Sequence, residues 1–150
     1  MRPVYEASWT SLLNHRTPQW LREAKFGIYT HWGLYSVPAC GPNGSWYSRN
    51  MYHKGTPQSA YHEKFFGPAT EFGYKDFIPL FTAKKFDADE WAEIFRKSGA
   101  KFAGPVAEHH DGFSMWDSAS NPWNAAKMGP KKDIVGNLEI AIRNQGMKFM

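Results

Sequence analysis

The apolar residues of this 150-residue chain fall into short runs and helical stripes. A run at 25–33 is β-branched and aromatic and ends at a glycine, which predicts a strand. A second run, at 101–107, predicts another strand, although Pro105 weakens it because proline cannot donate to a ladder. A third strand is predicted to begin after Gly146.

Two stretches carry apolar residues at helical spacing behind a capping residue. Asp87, with Glu90 three residues later, forms a capping box and predicts a helix that ends at Gly99. Asp133 caps a second predicted helix, which ends at Gly146. The first helix is expected to turn inward Trp91, Ile94, Phe95 and Ser98, and the second Ile134, Val135, Leu138, Ala141 and Ile142.

Two further helices are predicted at Gln58–Phe66 and Tyr74–Phe81, so the overall order of strands and helices is βαβαβ. Right-handed crossovers make such a sheet parallel. The chain carries no internal repeat and no linker that would divide it, and it stops where a strand starts. We therefore predict an α/β fold in one domain that forms the front part of a longer chain.

A long stretch, Ser36–Thr56, separates the first strand from the first of these helices and is punctuated by glycine and proline. It also holds large apolar and aromatic side chains, among them Trp46, Tyr47, Met51 and Tyr52. Loops of this length are usually functional or disordered. The aromatic content predicts an ordered, functional loop.

Polar clusters follow the first two strands, where parallel α/β folds place their functional loops. His31 follows the first strand, and the pair His109-His110 follows the second, flanked by Glu108 and Asp111. Two chemistries fit three imidazoles so placed. Neutral imidazoles exchange hydrogen bonds with sugar hydroxyls, or they ligate a metal ion together with Glu108 or Asp111. The residues alone leave both open.

Four tryptophans can either stack on the apolar face of a sugar ring or fill the core: Trp32, Trp46, Trp116 and Trp123. Trp32 and Trp46 are the better candidates for stacking, because they lie beside or within the long loop. Trp91, on the apolar face of a predicted helix, is expected in the core.

Composition narrows the class of protein. Seven Trp, seven Tyr and eleven Phe make 17% of the chain aromatic, which suits the binding of flat or apolar ligand faces. The net charge of +4 is scattered, so neither nucleic acid nor a membrane is an expected partner. The single Cys40 excludes an internal disulfide and a cysteine zinc site, and no apolar run is long enough for a transmembrane helix.

Several common motifs are missing. His62-Glu63 lacks the second histidine of a zincin helix, and no phosphate-binding glycine loop or G-x-S-x-G elbow follows a strand. The first twenty residues contain no apolar segment of the signal-peptide type. We expect a cytoplasmic protein unless a leader has been removed, in which case we expect a secreted, periplasmic or lysosomal one.

Two motifs are highly specific when they occur in one chain: FGIYTHWGLYSVP at 26–38 and HHDGF at 109–113. Further matches occur in the same order: Trp46-Tyr47, 74–77, Phe86-Asp87, 89–92 and 129–136. Together, over residues 18–150, they resemble the α-L-fucosidases of glycoside hydrolase family 29.

The resemblance implies an irregular (β/α)8 TIM-like barrel followed by a small β-sandwich domain, with residues 1–150 supplying about the first three strands of the barrel. It implies retaining hydrolysis of α-L-fucosyl bonds in fucosylated glycans, without a metal or cofactor. The nucleophile and the acid/base carboxylate are both expected beyond Met150, so residues 1–150 alone are expected to be inactive. The fucose-binding residues of the family map onto His31, Trp46, His109 and His110.

This chain departs from the family at two places. Many members have Glu before the loop tryptophan, where it touches the sugar, and here that residue is Ser45. Many members read Thr-Lys before the histidine pair, and here the residues are Ala107-Glu108. Ser45 and Trp32 complete the set of candidate sugar contacts.

Two other functions stay open on the residues alone. One is a metal-dependent hydrolase that uses the His31, His109 and His110 cluster. The other is a non-catalytic carbohydrate-binding fragment that keeps the sugar contacts without a nucleophile.

Overall fold

The computed structural model describes residues 5–150, so the first four residues of the segment considered for a leader lie outside it. Within 5–150 the α-helices are α1 (Trp9–Leu12), α2 (Gln19–Ala24), α3 (Tyr47–Asn50), α4 (Pro57–Phe66), α5 (Ala88–Lys97) and α6 (Ile134–Asn144). The strands there are β1 (Gly27–Thr30), β2 (Phe102–Pro105) and β3 (Lys148–Phe149). None of these helices is long and apolar enough to cross a membrane.

The three strands form one parallel sheet in the order β1-β2-β3. β1 and β2 are paired from Gly27 opposite Phe102 to Thr30 opposite Pro105, and β3 pairs with the start of β2. The predicted parallel α/β sheet is confirmed. Because β1 and β2 end at matching positions, the segments that follow them lie side by side.

β1 and β2 are shorter than their apolar runs predict. β1 stops at Thr30, and a 3-10 turn at Leu34–Ser36 then redirects the chain. Pro105 is the last residue of β2, and the N–H of the next residue, Val106, donates to the carbonyl of Thr30 at 2.9 Å. Proline is tolerated here because it stands at the end of the strand.

Helices α5 and α6 begin at the predicted capping residues. A carboxylate oxygen of Asp87 accepts the N–H groups of Asp89 and Glu90 at 2.9 and 3.0 Å. Asp133 accepts the N–H of Gly136 at 2.7 Å. Each cap satisfies amide groups that the first turn of a helix leaves free, so Asp87 and Asp133 are confirmed as capping residues.

The buried face of α6 largely matches the prediction, whereas that of α5 matches it only in part. α6 buries four of its five predicted residues, Ile134, Leu138, Ala141 and Ile142. α5 buries Ala92 and Phe95, with Trp91 beside them, whereas Ile94 is 55% exposed and Ser98 is exposed. The predicted inward positions of Ile94 and Ser98 were wrong, because the buried stripe is centred nearer Ala92.

The segments between β1 and α5 are ordered. Thr56 caps α4 by accepting the N–H of Ser59 at 3.1 Å. Buried Gln58 of α4 donates to the carbonyl of Pro42 at 2.8 Å and so ties the long loop to this helix. The predicted order of the loop is confirmed. The helical segment predicted at Tyr74–Phe81 is a 3-10 helix at Tyr74–Leu80, and it contains Pro79, which lacks an amide hydrogen.

Two aromatic groups fill much of the core. The first consists of Tyr47, His62, Phe66, Phe72 and Phe77. The second consists of Trp32, Phe81, Phe86 and Trp91. The predicted packing role of Trp91 is confirmed.

Candidate functional site

Three histidine side chains meet beyond the ends of β1 and β2. His31 directly follows β1, and His109 and His110 lie in the turn after β2. The ring centroids of His31 and His109 are 5.3 Å apart, and those of His109 and His110 are 4.7 Å apart with nearly perpendicular planes. The structure thus brings together the three imidazoles that the sequence singled out, and we call them the imidazole cluster.

Trp46 reaches this cluster from the long loop. Its ring centroid lies 4.1 Å from that of His110, with planes inclined by 32°, and 6.3 Å from that of His109. The side chain stays 39% exposed, so one part of its apolar surface is open. Ser45 precedes it in the 3-10 turn Gly44–Trp46 and is half-buried.

Two tyrosines that sequence reasoning missed also border the cluster. The Tyr29 hydroxyl lies 3.4 Å from Nε2 of His31, and the Tyr35 ring centroid lies 5.3 Å from that of His109. Tyr29 stands two residues before His31, so strand alternation places both on one face and could have identified it. Tyr35 lies in the 3-10 turn after β1, and no spacing rule indicates its contact.

Buried polar atoms beside the cluster lack hydrogen-bond partners within residues 5–150. They are Nδ1 of His109, the hydroxyl of Tyr35 and Oγ1 of Thr30. Buried polar groups in folded proteins are nearly always bonded, because an unbonded one costs free energy. Such atoms suit a site that is completed by the hydroxyl groups of a ligand.

The surroundings of His109 favour its neutral form. Burial, aided by the neighbouring His110 and His31, lowers the pKa of His109 below its usual value, and Asp111 only partly opposes this. Burial and nearby Asp111 raise the pKa of Tyr35 to about 12. A neutral imidazole and a protonated phenol can each donate and accept a hydrogen bond, which is what a polyhydroxylated ligand requires.

Asp111 holds the turn that carries the histidine pair through two hydrogen bonds. Its carboxylate accepts the hydroxyl of Tyr74 at 2.7 Å and the N–H of Phe113 at 3.2 Å. Gly112 completes the turn at a φ of +69°, a conformation that other residues rarely adopt. Burial and this carboxylate raise the pKa of Tyr74 far above its usual value, so its phenol remains a donor.

A network of polar side chains around Ser114 also holds this turn. The hydroxyl of buried Ser114 donates to Glu108. Asn121 Nδ2 lies 2.8 Å from Ser114 Oγ and donates to the carbonyl of Gly112 at 2.9 Å. Both carboxylates next to the histidine pair, Glu108 and Asp111, are therefore engaged in fixing the turn.

A cavity of about 650 Å³ adjoins the turn at Asp111. We call it the tyrosine–tryptophan cavity, and its walls include Tyr52, Glu71, Tyr74, Lys75, Asp111 and Trp123. Tyr52 and Trp123 are 55% and 46% exposed. None of the three imidazoles lines the cavity, but Asp111, which does, directly follows His110 of the imidazole cluster.

Residues 1–150 match the family model described as alpha-L-fucosidase. The chain belongs to the alpha-L-fucosidase family. It is 44% identical over 142 residues to the plasma alpha-L-fucosidase of Homo sapiens, an alignment that covers 94% of this chain and 30% of that protein. It is 41% identical over 149 residues to the tissue alpha-L-fucosidase of Rattus norvegicus, an alignment that covers 97% of this chain and 31% of that protein.

The fold is likewise similar to a solved member of the fucosidase family. The crystal structure of Thermotoga maritima alpha-fucosidase in complex with fucose superposes with a TM-score of 0.92 at 42% identity, covering 97% of this chain and 36% of that chain. This chain therefore spans about a third of the length of the relatives it matches.

Two other tryptophans that were candidates for sugar stacking, Trp32 and Trp123, lie in different surroundings. Trp32 packs on Phe81, Phe86 and Trp91, with centroid distances of 5.2–5.5 Å, so the structure places it in the core aromatic group. His31 contacts other rings, those of Tyr29 and His109, which agrees with the alternation of side chains at the end of a strand. Trp123, by contrast, is exposed in the tyrosine–tryptophan cavity.

The geometry gives no support to the metal-binding alternative. Among residues 5–150, no three side chains of His, Cys, Asp or Glu are grouped so that they could hold a metal ion. The imidazole of His109 meets those of His31 and His110 edge to face.

Proposed function

We propose that the imidazole cluster and Trp46 bind the fucose ring of a fucosylated glycan in an α-L-fucosidase. One observation carries this proposal: three imidazoles converge at the ends of adjacent parallel strands, and the buried Nδ1 of His109 lacks a protein partner within 5–150. Neutral imidazoles offer directional hydrogen bonds to the hydroxyls of a sugar. The open face of Trp46 offers an apolar surface for the ring carbons.

Ser45 is proposed as a lesser contact of the same site. It stands beside Trp46 in the 3-10 turn, where many family members carry Glu. Any bond it makes to the sugar comes from a short neutral hydroxyl, which reaches less far than a carboxylate. Trp32 is not assigned a sugar contact, because its ring is engaged by Phe81 and Trp91.

Residues 1–150 are proposed to be the N-terminal part of a catalytic (β/α)8 barrel in one domain. In support, Tyr29 of β1 is 66% exposed, and a space bordered by Ile28, Tyr29, Phe102 and Met150 lies against the sheet. Parallel sheets are normally covered on both faces. The span of about a third of a fucosidase chain agrees with three of eight strands.

The nucleophile and the acid/base are proposed to lie beyond Met150. Retaining hydrolysis needs two carboxyl groups about 5–5.5 Å apart on either side of the scissile bond. Glu108 and Asp111 are bonded to Ser114 and Tyr74 and so hold the turn in place. Within residues 1–150 we therefore assign binding residues and no catalytic carboxylate.

The test is an assay of the complete protein on an aryl α-L-fucoside, with residues 1–150 alone as a control. We expect hydrolysis by the complete protein, first releasing the α-anomer of fucose, as detected by proton NMR. We expect none from residues 1–150. Inhibitor-sensitive turnover by the 150-residue portion would contradict the placement of the carboxylates, and an inactive complete protein would contradict the proposed activity.

A further inference from the structure

The tyrosine–tryptophan cavity has a fixed shape. The backbone N–H of Tyr74 donates to the hydroxyl of Tyr52 at 2.8 Å, and the hydroxyl of Tyr74 donates to Asp111 at 2.7 Å. On the other wall, the N–H of Trp123 donates to Oδ1 of Asn121 at 3.0 Å, and its carbonyl accepts the N–H of Ser114 at 3.0 Å. The rings of Tyr52 and Tyr74 and the backbone of Trp123 are therefore positioned before any ligand arrives, which lowers the entropic cost of binding.

The chemistry of the cavity suits a sugar. Its two exposed rings, Tyr52 and Trp123, offer flat apolar faces, while Glu71 and Lys75 provide charged hydrogen-bonding groups at the wall. A volume of about 650 Å³ lies within the roughly 300–1,000 Å³ of most small-molecule sites. Aromatic faces combined with a few polar groups match a ring that has apolar carbons and a rim of hydroxyls.

The cavity and the proposed fucose site draw residues from the same two segments of the chain. Asp111, a wall residue, directly follows His110 of the imidazole cluster. Trp46 and Tyr52 flank the short helix α3, so one segment supplies an aromatic ring to each site. A group attached to a fucose that is held by His110 and Trp46 therefore has this cavity as its neighbour.

We propose that the tyrosine–tryptophan cavity binds the sugar residue to which the fucose is attached, with Trp123 as its stacking surface. This inference rests on the proposed fucosidase function, and it adds that part of the specificity for the glycan lies in residues 1–150. The ring of Trp123 is expected to discriminate between leaving groups, since a leaving sugar can stack on it and a single-atom leaving group cannot.

The experiment compares two substrates in the complete protein. One is α-L-fucosyl fluoride, whose leaving group is a single atom, and the other is a trisaccharide with fucose linked to lactose. Trp123→Ala is expected to raise KM for the trisaccharide roughly tenfold, because a stacking contact is lost, and to leave kcat/KM for the fluoride unchanged. Trp123→Tyr should restore most of the trisaccharide KM.

Phe65→Ala is the matched control, because this ring is 58% exposed on α4 and lies outside the cavity. It should leave both substrates unaffected. Equal losses on both substrates in Trp123→Ala, or no loss on either, would overturn the proposal. If Trp123→Ala fails to fold, Trp123→Leu, which keeps an apolar side chain but removes the ring, carries the same comparison.

A binding measurement separates this inference from the proposed activity. Calorimetry with lactose, which lacks fucose, should show weak binding to the complete protein that Trp123→Ala reduces and Phe65→Ala does not. If the unmodified protein hydrolyses neither fucoside, the proposed function fails, and lactose binding alone then decides the cavity. Absence of lactose binding together with an unchanged trisaccharide KM in Trp123→Ala contradicts it.

Discussion

Two histidines of this chain, His62 and His109, both lie among aromatic rings but have opposite hydrogen-bonding states. His62 is 1% exposed and fully bonded: its Nε2–H donates to the carbonyl of Phe72 at 2.8 Å, so Nδ1 accepts from the hydroxyl of Tyr47 at 3.0 Å. Burial raises the pKa of Tyr47, which keeps that hydroxyl a donor. His62 therefore completes a core that needs nothing further.

His109 is surrounded by polar rings and retains an unbonded nitrogen. His31, Tyr35 and His110 pack around it, and its buried Nδ1 has no partner among residues 5–150. The free energy that this unbonded atom costs is not recovered within the described chain. The comparison teaches that hydrogen-bond satisfaction, rather than burial or aromatic company, separates a structural histidine from one available to a ligand.

The largest expected effect is on stability at His62. His62→Ala removes a buried ring and leaves the Tyr47 hydroxyl and the Phe72 carbonyl without partners, so we expect the free energy of unfolding to fall by about 3–5 kcal/mol. Denaturant unfolding of the complete protein measures this, with the exposed neighbour Glu63→Ala as control. A loss below about 1 kcal/mol would remove the basis of the comparison.

The second expected effect is on turnover at the histidine pair. His109→Ala and His110→Ala should lower kcat/KM for an α-L-fucoside by roughly 10²–10³, because bonds that tighten in the transition state are lost. Their melting temperatures should change little, since His109 leaves no satisfied bond behind. Near-normal turnover with a collapsed melting temperature would show instead that these histidines are structural.

An intermediate effect is expected from the hydrogen bond between Tyr74 and Asp111, which holds the turn of the histidine pair. Tyr74→Phe deletes the hydroxyl that donates to Asp111, so we expect a stability loss of about 1.5–3 kcal/mol and a fall in kcat/KM smaller than in the histidine variants. Unfolding and steady-state kinetics measure the two quantities on one preparation. Tyr61→Phe, a half-buried tyrosine of α4, is the control. A loss of stability with unchanged kinetics would separate the turn from the site.

A smaller effect is expected at the aromatic wall. Trp46→Ala should weaken the binding of a fucose-like inhibitor roughly tenfold while the far-UV circular dichroism stays the same. Trp9→Ala, which removes a ring that is 81% exposed, should not change binding. An unaltered inhibitor affinity in Trp46→Ala would mean that Trp46 only packs on His110.

The smallest expected effect is a pH dependence of stability. The pKa of His109 is lowered below its usual 6.5 in the folded state by burial, His110 and His31, so the unfolded chain binds the proton more readily. The neutral His109 side chain therefore favours the folded state above pH 6.5. This stabilisation is lost as the pH falls toward the lowered pKa. The free energy of unfolding, measured on either side of pH 6.5, should show this loss in the unmodified protein and a smaller loss in His109→Gln. Identical pH profiles would contradict the assignment.

Local sequence rules predicted the frame of the molecule well. The caps at Asp87 and Asp133 and the parallel order of the strands depend on neighbouring residues or on general handedness, and the structure confirms them. The convergence of His31 with the histidine pair followed from the same reasoning, because parallel strands end at one edge.

Contacts between distant segments could not be predicted in this way. Tyr74 and Asp111 are 37 residues apart, and only the folded chain brings the phenol to the carboxylate. Trp32 was favoured because it lies beside the long loop, yet its ring packs on Trp91 in the core. His62 gave no sequence sign of the two bonds that make it structural.

The most direct test titrates the complete protein, labelled with ¹⁵N in its histidine rings, with L-fucose. Assigning each resonance with a His→Gln variant allows the imidazole cluster to be compared with His62 in one experiment. We predict saturable shifts of the resonances of His31, His109 and His110, and none for His62. Saturating fucose that leaves these three unmoved, or that moves His62 as strongly, would contradict the assignment of the sugar site.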